Sequence, residues 1–105
     1  MALVNAGRLS QLPPQTVTEV VAGEDVYAVC NLGGEIAVVD GVCPHHGGPL
    51  GHGAIQDGRV VCPWHLWEFD CRTGEYDRDP SLKLATYRAR VDGDDILIDI
   101  PESRA

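Results

Sequence analysis

Two short stretches, CPHHGGPL (43–50) and CPWHLWEFDC (62–71), share a pattern that the rest of the chain lacks. Each begins with Cys-Pro and carries a histidine two or three residues after the cysteine. Residues 46–61, sixteen in all, separate the first histidine from the second cysteine. Glycine and proline within these stretches let the backbone bend sharply, so we predict two loops that close around a bound group. The candidate metal ligands are Cys43, His45, Cys62 and His65.

Two thiolates and two imidazoles are soft ligands, which excludes a site for magnesium or another oxygen-preferring metal. Zinc is one alternative, because two cysteines and two histidines form an ordinary zinc shell. Zinc modules, however, usually pair cysteine with cysteine and histidine with histidine. Here each stretch supplies one of each, which favours a two-iron cluster with cysteines on one iron and histidines on the other. The spacing alone still leaves zinc, or no metal at all, as alternatives.

Length and charge narrow the class of protein further. With 105 residues, we expect one domain spanning 1–105. The formal net charge of −8 argues against a nucleic-acid partner and suits a basic protein partner or simply a solvated surface. No apolar run reaches the about 20 residues that span a bilayer, and the N-terminus does not resemble a signal peptide. We therefore expect a cytoplasmic protein whose four cysteines are not paired as disulfides.

The remaining sequence has the short period of β-strands. The segment TVTEVV (16–21) alternates apolar and polar residues, and no segment sustains a helical period. Turn signals between apolar runs predict hairpins or bends at Gly33-Gly34, Asp57-Gly58, Thr73-Gly74 and Asp92-Gly93. Closely spaced turns of this kind predict an all-β sandwich or small barrel.

The two motif stretches resemble the cluster-binding boxes of Rieske [2Fe-2S] proteins, and most closely the small Rieske-type ferredoxins of oxygenase systems. The segment 79–100 is also similar to the family's proline loop and closing hairpin. The resemblance implies an all-β Rieske iron-sulfur fold, with antiparallel sheets in a small sandwich and a two-loop cluster-binding subdomain at about 43–50 and 62–71. It implies one [2Fe-2S] cluster of Rieske type. Its implied ligands are Cys43, His45, Cys62 and His65.

The same resemblance assigns roles to the other histidines and cysteines. His46 is one residue beyond the family's first histidine position, so we interpret it as a polar loop residue, and His52 as a surface turn residue. Cys30 falls in a predicted strand, where a buried thiol is expected. We expect Cys71 to pack near the second box, and Pro80 to begin a third loop that covers the cluster.

The function implied by the resemblance is that of an electron carrier. A Rieske-type ferredoxin passes single electrons from a flavin-dependent ferredoxin reductase to a terminal oxygenase or another redox enzyme. We expect no catalytic residues in the chain itself. The alternative is a small Rieske-like subunit of an assimilatory nitrite reductase. A detached Rieske domain of an oxygenase would need a mononuclear iron site, and only His46 and His52 remain for it.

The resemblance also bears on the reduction potential. In high-potential Rieske proteins each box carries an additional cysteine, and the two form a disulfide. Gly48 and Trp64 occupy those positions here. Trp67 and Phe69 stand where those proteins place a serine and a tyrosine that donate hydrogen bonds to the cluster. Fewer donors stabilise the reduced cluster less, so we predict a potential at the low end of the Rieske range.

Overall fold

The computed structural model describes residues 2–44, 47–64 and 66–100, and its regular structure is almost entirely antiparallel β. The strands in the N-terminal half are β1 (Ala2–Arg8), β2 (Thr16–Ala22), β3 (Asp25–Asn31), β4 (Ile36–Asp40) and β5 (Ala54–Gln56). Those that follow are β6 (Arg59–Val61), β7 (Glu68–Asp70), β8 (Glu75–Tyr76), β9 (Asp79–Lys83), β10 (Thr86–Asp92) and β11 (Asp95–Ile100). Two short 3₁₀ helices, Leu9–Gln11 and Leu50–His52, complete the described elements.

The larger sheet has six strands in the order β1-β11-β10-β4-β3-β2. The hairpin of β3 and β4 forms its centre, with Val29 opposite Val38. Strand β10 then pairs with β4, and its hairpin partner β11 pairs with β1. The sheet therefore joins the two ends of the described chain and forms a base for the rest of the molecule.

The smaller sheet has five strands in sequential order, β5-β6-β7-β8-β9. Its first hairpin turns at Asp57 and Gly58, whose φ angles of 52° and 75° are the left-handed values that a two-residue type I′ turn needs. Two loops flank β5 and β6. The first connects β4 to β5, and the second connects β6 to β7. These loops contain the two motif stretches.

Alternation along the central strands sends side chains to two separate cores, because successive residues of a strand point to opposite faces. On β3, Ala28 and Cys30 face the core shared with the smaller sheet, which we call the loop-side core. Tyr27 and Val29 face the opposite core, which we call the base core. The loop-side core consists of Ala28, Cys30, Ala37, Val39, Cys43, Leu50, Val60, Cys62, Phe69, Cys71 and Leu84. The base core consists of Leu12, Tyr27, Val29, Val38, Ile96, Ile98 and Ile100.

The predicted hairpins are present, and two strands were not predicted. Strand β1 had no clear alternation in the sequence. Strand β9 corrects the expectation that Pro80 begins a loop, because Pro80 lies inside β9. That strand is at the edge of the smaller sheet, which is the position where a strand tolerates proline. Within the described part of the chain, no helix is long and apolar enough to cross a membrane.

Candidate metal centre

The first loop is closed at its base by its own backbone. The Cys43 N–H donates to the Gly48 carbonyl at 2.8 Å, and the Gly47 N–H donates to the Cys43 carbonyl at 2.8 Å. Just outside this turn, Val42 and Pro49 form an isolated antiparallel bridge. These contacts fix the backbone of Cys43, whose side chain is buried in the loop-side core.

The second loop is closed in a similar way. The Cys62 N–H donates to the Trp67 carbonyl at 2.8 Å, so the chain reverses between the ends of β6 and β7. Leu66, inside this turn, has a φ of 59°, a left-handed value that residues with a Cβ rarely adopt. The Cys62 side chain is fully buried in the same core as Cys43.

The thiols of Cys43 and Cys62 meet where the two loops face each other. Burial raises the pKa of the Cys62 thiol, the Trp64 backbone N–H acts in the opposite direction, and a hydrogen bond with the Cys43 side chain raises the pKa further. Burial and the hydrogen bond with Cys43 therefore both disfavour the thiolate form of Cys62. A bound cationic centre would reverse this preference, since it stabilises coordinated thiolates. The pair therefore has the donor chemistry that a buried soft metal centre requires.

Gly48 brings the first loop close to this sulfur pair. A Cβ at position 48 would lie 2.6 Å from the Cys62 Sγ and 3.3 Å from the Trp64 Cβ. Positions 48 and 64 are therefore neighbours across the two loops. Those are the positions at which, by the family resemblance, high-potential Rieske proteins carry their disulfide. A separation of 3.3 Å approaches the about 3.5–4.5 Å between the Cβ atoms of a disulfide.

Three of the histidine assignments fall on residues that the structure does not describe. His45, His46 and His65 lie outside the described residues, so their assignments stay predictions. Among the described ranges 2–44, 47–64 and 66–100, no group of three or more metal-binding side chains is found. His52 is described, and the prediction of a surface position is confirmed. Its side chain is 64% exposed, with Nε2 at 3.2 Å from Glu19 Oε2.

A second pair of buried thiols lies in the loop-side core. Cys30 on β3 and Cys71 just after β7 are both buried and both free thiols. A hydrogen bond to the Cys71 side chain, together with burial and the charge that Cys71 can carry, raises the pKa of the Cys30 thiol far above the ordinary range. The sequence predicted a buried thiol at Cys30 and packing near the second box for Cys71. It did not predict that the two contact each other, because 40 residues separate them in the chain.

An aromatic layer lies beneath the second loop. Trp67 and Tyr76 stack with their ring centroids 4.1 Å apart and their planes 10° from parallel. Phe69 is fully buried, and its centroid is 5.4 Å from that of Tyr76. Phe69 belongs to the same loop-side core as Cys62, and Trp67 and Tyr76 pack against that core from the smaller sheet.

Apolar side chains are exposed beside the two loops. Leu66 is 70% exposed, and Trp64 and Val42 are each 49% exposed. Val42 and Trp64 are next to or near the buried cysteines in the chain, and about half of each residue remains exposed. The centre therefore combines two buried candidate sulfur ligands with partly exposed apolar residues beside them.

Comparison with known proteins identifies the family. The sequence matches the family model of the Rieske [2Fe-2S] domain over residues 2–88. It is 32% identical over 101 residues to the ferredoxin component of biphenyl 2,3-dioxygenase from Rhodococcus jostii, a match that covers 95% of this chain and 94% of that protein. The structure is similar to the ferredoxin of carbazole 1,9a-dioxygenase from Nocardioides aromaticivorans, with a TM-score of 0.85, 28% identity and coverage of 93% and 97%.

Two further solved structures share the fold. One is the ferredoxin in a complex of reduced oxygenase and oxidized ferredoxin of carbazole 1,9a-dioxygenase, with a TM-score of 0.83, 20% identity and 91% of each chain covered. The other is described as a nitrite reductase small subunit from Mycobacterium tuberculosis, with a TM-score of 0.83, 22% identity and coverage of 92% and 93%. At these identities the likeness shows the fold alone. The predicted all-β fold is confirmed, and the chain belongs to the Rieske [2Fe-2S] domain family, with a Rieske-type [2Fe-2S] cluster as its cofactor.

Proposed function

We propose that this chain is a Rieske-type ferredoxin, a one-electron carrier that connects a flavin-dependent ferredoxin reductase to a terminal oxygenase. The observation that carries the proposal is the meeting of two buried thiols, Cys43 and Cys62, from facing loops. The relative from Rhodococcus jostii, which matches almost the full length of the chain, is the ferredoxin component of a dioxygenase. In this function the chain itself catalyses no reaction, and the whole of 1–105 acts as a single domain in the cytoplasm.

The proposed ligands divide between the two irons by residue type. Cys43 and Cys62 would hold one iron from inside the loop-side core, where their side chains are buried. His45 and His65 would hold the other, since each follows its cysteine within the same loop. The cluster supplies reversible one-electron chemistry when bound. The chain's own residues contribute the buried sulfur donors, the closed loop backbones and the exclusion of water from the thiolate side.

The exposed surface near the loops suits brief contact with a redox partner. Trp64, Leu66 and Val42 present apolar area there, while the whole chain carries a net charge of −8. Electron-transfer complexes are commonly small and short-lived, and long-range charge attraction speeds their formation. We expect the partner to offer an apolar contact surrounded by basic residues.

The ligand set is tested by single substitutions in anaerobically purified protein. We expect Cys43→Ala, His45→Ala, Cys62→Ala and His65→Ala each to lose iron, acid-labile sulfide and the Rieske signal in electron paramagnetic resonance. His46→Ala is the matched control in the same loop and should retain all three. Freshly purified wild-type protein without iron or acid-labile sulfide would contradict the cofactor, and loss of the signal only in His46→Ala would reassign the first histidine ligand.

Electron transfer is tested by reconstitution. The holoprotein replaces the native ferredoxin in an assay with the reductase and terminal oxygenase components of the Rhodococcus jostii biphenyl 2,3-dioxygenase. We expect oxidation of biphenyl that depends on the added holoprotein, with no turnover when the Cys62→Ala variant is added. Rapid reduction by the reductase without any transfer to the oxygenase would contradict the proposed acceptor.

A further inference from the structure

Leu66 combines two features that are unfavourable for a leucine and that no core contact in the described part of the chain offsets. Its φ of 59° places a residue with a branched side chain in the left-handed region, where the Cβ approaches the backbone. The same side chain is 70% exposed, the largest exposure among the large hydrophobic residues of the described chain. Glycine adopts this backbone conformation without strain, and a polar residue would suit the solvent.

Packing within the molecule does not compensate for these features. Leu66 belongs to neither the loop-side core nor the base core of the described residues. The backbone contact that closes the second loop is made by its neighbours Cys62 and Trp67, through the N–H of one and the carbonyl of the other. A residue with no side chain at position 66 would leave that contact intact. Strained residues with no internal role often mark functional sites.

The position of Leu66 suggests what the side chain contacts. It directly follows His65, a proposed ligand of the outer iron, and Trp64 on the other side of His65 is also half exposed. Any partner that receives an electron through the outer iron must approach this surface. In a solved structure of the same fold, a ferredoxin is bound to its oxygenase.

We propose that Leu66 is the anchor residue that inserts into an apolar pocket on the terminal oxygenase and sets the affinity of docking; this inference rests on the proposed function. The side chain is 70% exposed, so it is accessible to a partner that docks beside the second loop. The net charge of −8 fits a pocket with basic residues around its rim. Trp64 supplies flanking contact area at the edge of the same interface.

Three substitutions at position 66 distinguish the loss of a docking contact from the relief of backbone strain. Leu66→Gly removes the side chain and relaxes the backbone, and Leu66→Ala removes most of the side chain but keeps a Cβ in the left-handed conformation. Leu66→Met keeps an apolar side chain of similar volume. Val21→Ala is the matched control, because Val21 is an aliphatic residue that is 65% exposed on β2, outside both loops.

The assay is turnover of the Rhodococcus jostii oxygenase with each holoprotein, over a range of holoprotein concentrations. We expect Leu66→Gly and Leu66→Ala to raise the KM for the holoprotein by about tenfold or more with little change in kcat, as for loss of an interface hot spot. Leu66→Met and Val21→Ala should keep the wild-type KM. Iron content, electron paramagnetic resonance and midpoint potential should be unchanged in all four, and Leu66→Gly should melt at or above the wild-type temperature.

Several outcomes would overturn the inference. An unchanged KM in Leu66→Gly would show that the side chain is not an anchor. If Leu66→Gly and Leu66→Ala raised the KM for the holoprotein only in assays with the reductase, Leu66 would belong to the reductase interface instead. Lower melting temperature or loss of cluster in Leu66→Gly would show that its role is internal. If the wild-type holoprotein transfers no electrons with either component, the proposed function itself is wrong. A defect seen only in the position-66 variants leaves the proposed function intact.

Discussion

Substitution of Leu50 tests whether retention of the cluster depends on packing in the loop-side core or only on the stability of the whole chain. Its side chain is fully buried in the same core as Cys43 and Cys62, and its N–H donates to the Gly41 carbonyl at 3.0 Å. Leu50→Ala deletes three buried carbons, worth about 2.4 kcal/mol at about 0.8 kcal/mol each. The cavity left behind brings the expected loss to about 3–5 kcal/mol.

Ile98→Ala is the matched control. It deletes the same number of carbons from a side chain that is equally buried, but in the base core on the other face of the larger sheet. Both variants should melt more than about 10 °C below the wild type, since about 1 kcal/mol corresponds to about 4–8 °C in a small domain. Only Leu50→Ala should also lose the cluster faster at temperatures where the protein is still folded.

The assay follows the visible absorbance of the cluster and the far-ultraviolet circular dichroism of the same samples. Cluster loss is compared at equal intervals below each variant's own melting temperature, so that global stability is matched. We expect the Leu50→Ala cluster to decay several-fold faster than the Ile98→Ala cluster. Equal decay rates under these matched conditions would refute the reasoning, because the cluster would then report only on unfolding of the whole chain.

Four further outcomes are expected. The midpoint potential should lie in the lower part of the Rieske range of about −150 to +300 mV, and a redox titration giving a value well above about +100 mV would contradict the missing-donor argument. Cys30 and Cys71 should resist iodoacetamide in the folded protein and react after unfolding. Because the pKa of Cys30 is raised, its contribution to stability is complete below the ordinary thiol value of 9.0 and declines as the pH rises above it. Denaturation of Cys30→Ala should depend less on pH in that window, and an identical dependence would contradict the pairing. Tyr87→Phe removes the hydroxyl that donates to Asp40 Oδ1 at 2.6 Å, which should cost about 1–2 kcal/mol in chemical denaturation while leaving the cluster spectrum unchanged.

The hairpins and the cysteine positions could be predicted from the sequence because their signals are local. Asp57-Gly58 has the two left-handed residues of its turn side by side, and the Cys-Pro motifs place Cys43 and Cys62 in loops. Strand β1 could not be predicted in this way. Asn5 and Gly7 interrupt its apolar pattern, and the strand exists because it pairs with β11 at the other end of the described chain. Pro80 was misread as the start of a loop, because only the topology shows that β9 is an edge strand.

Features that depend on contacts between distant segments could likewise not be predicted from the sequence pattern. The contact between Cys30 and Cys71 needs β3 of one sheet and the end of β7 of the other to face each other across the loop-side core. The left-handed backbone of Leu66 has no signal either, since leucine is a residue that would predict an ordinary backbone conformation. The contact between the two thiols follows from how the two sheets face each other, and Leu66 lies within the turn that closes the second loop.

The two pairs of cysteines share one core but differ in how their backbones are held, and this difference supports the proposal that the cluster binds at Cys43 and Cys62. Cys30 is the penultimate residue of β3 and is paired on both sides, with Val17 of β2 and Ala37 of β4, so its backbone has little freedom to move towards a metal. Cys43 and Cys62 lie just beyond β4 and β6, in loops closed by a few backbone hydrogen bonds rather than by strand pairing on both sides. Under the proposed ligand assignment, such loops could adjust around the cluster. Cys30 and Cys71 would then act as apolar packing in the core that also buries Cys43 and Cys62, which would keep water away from the two sulfur ligands.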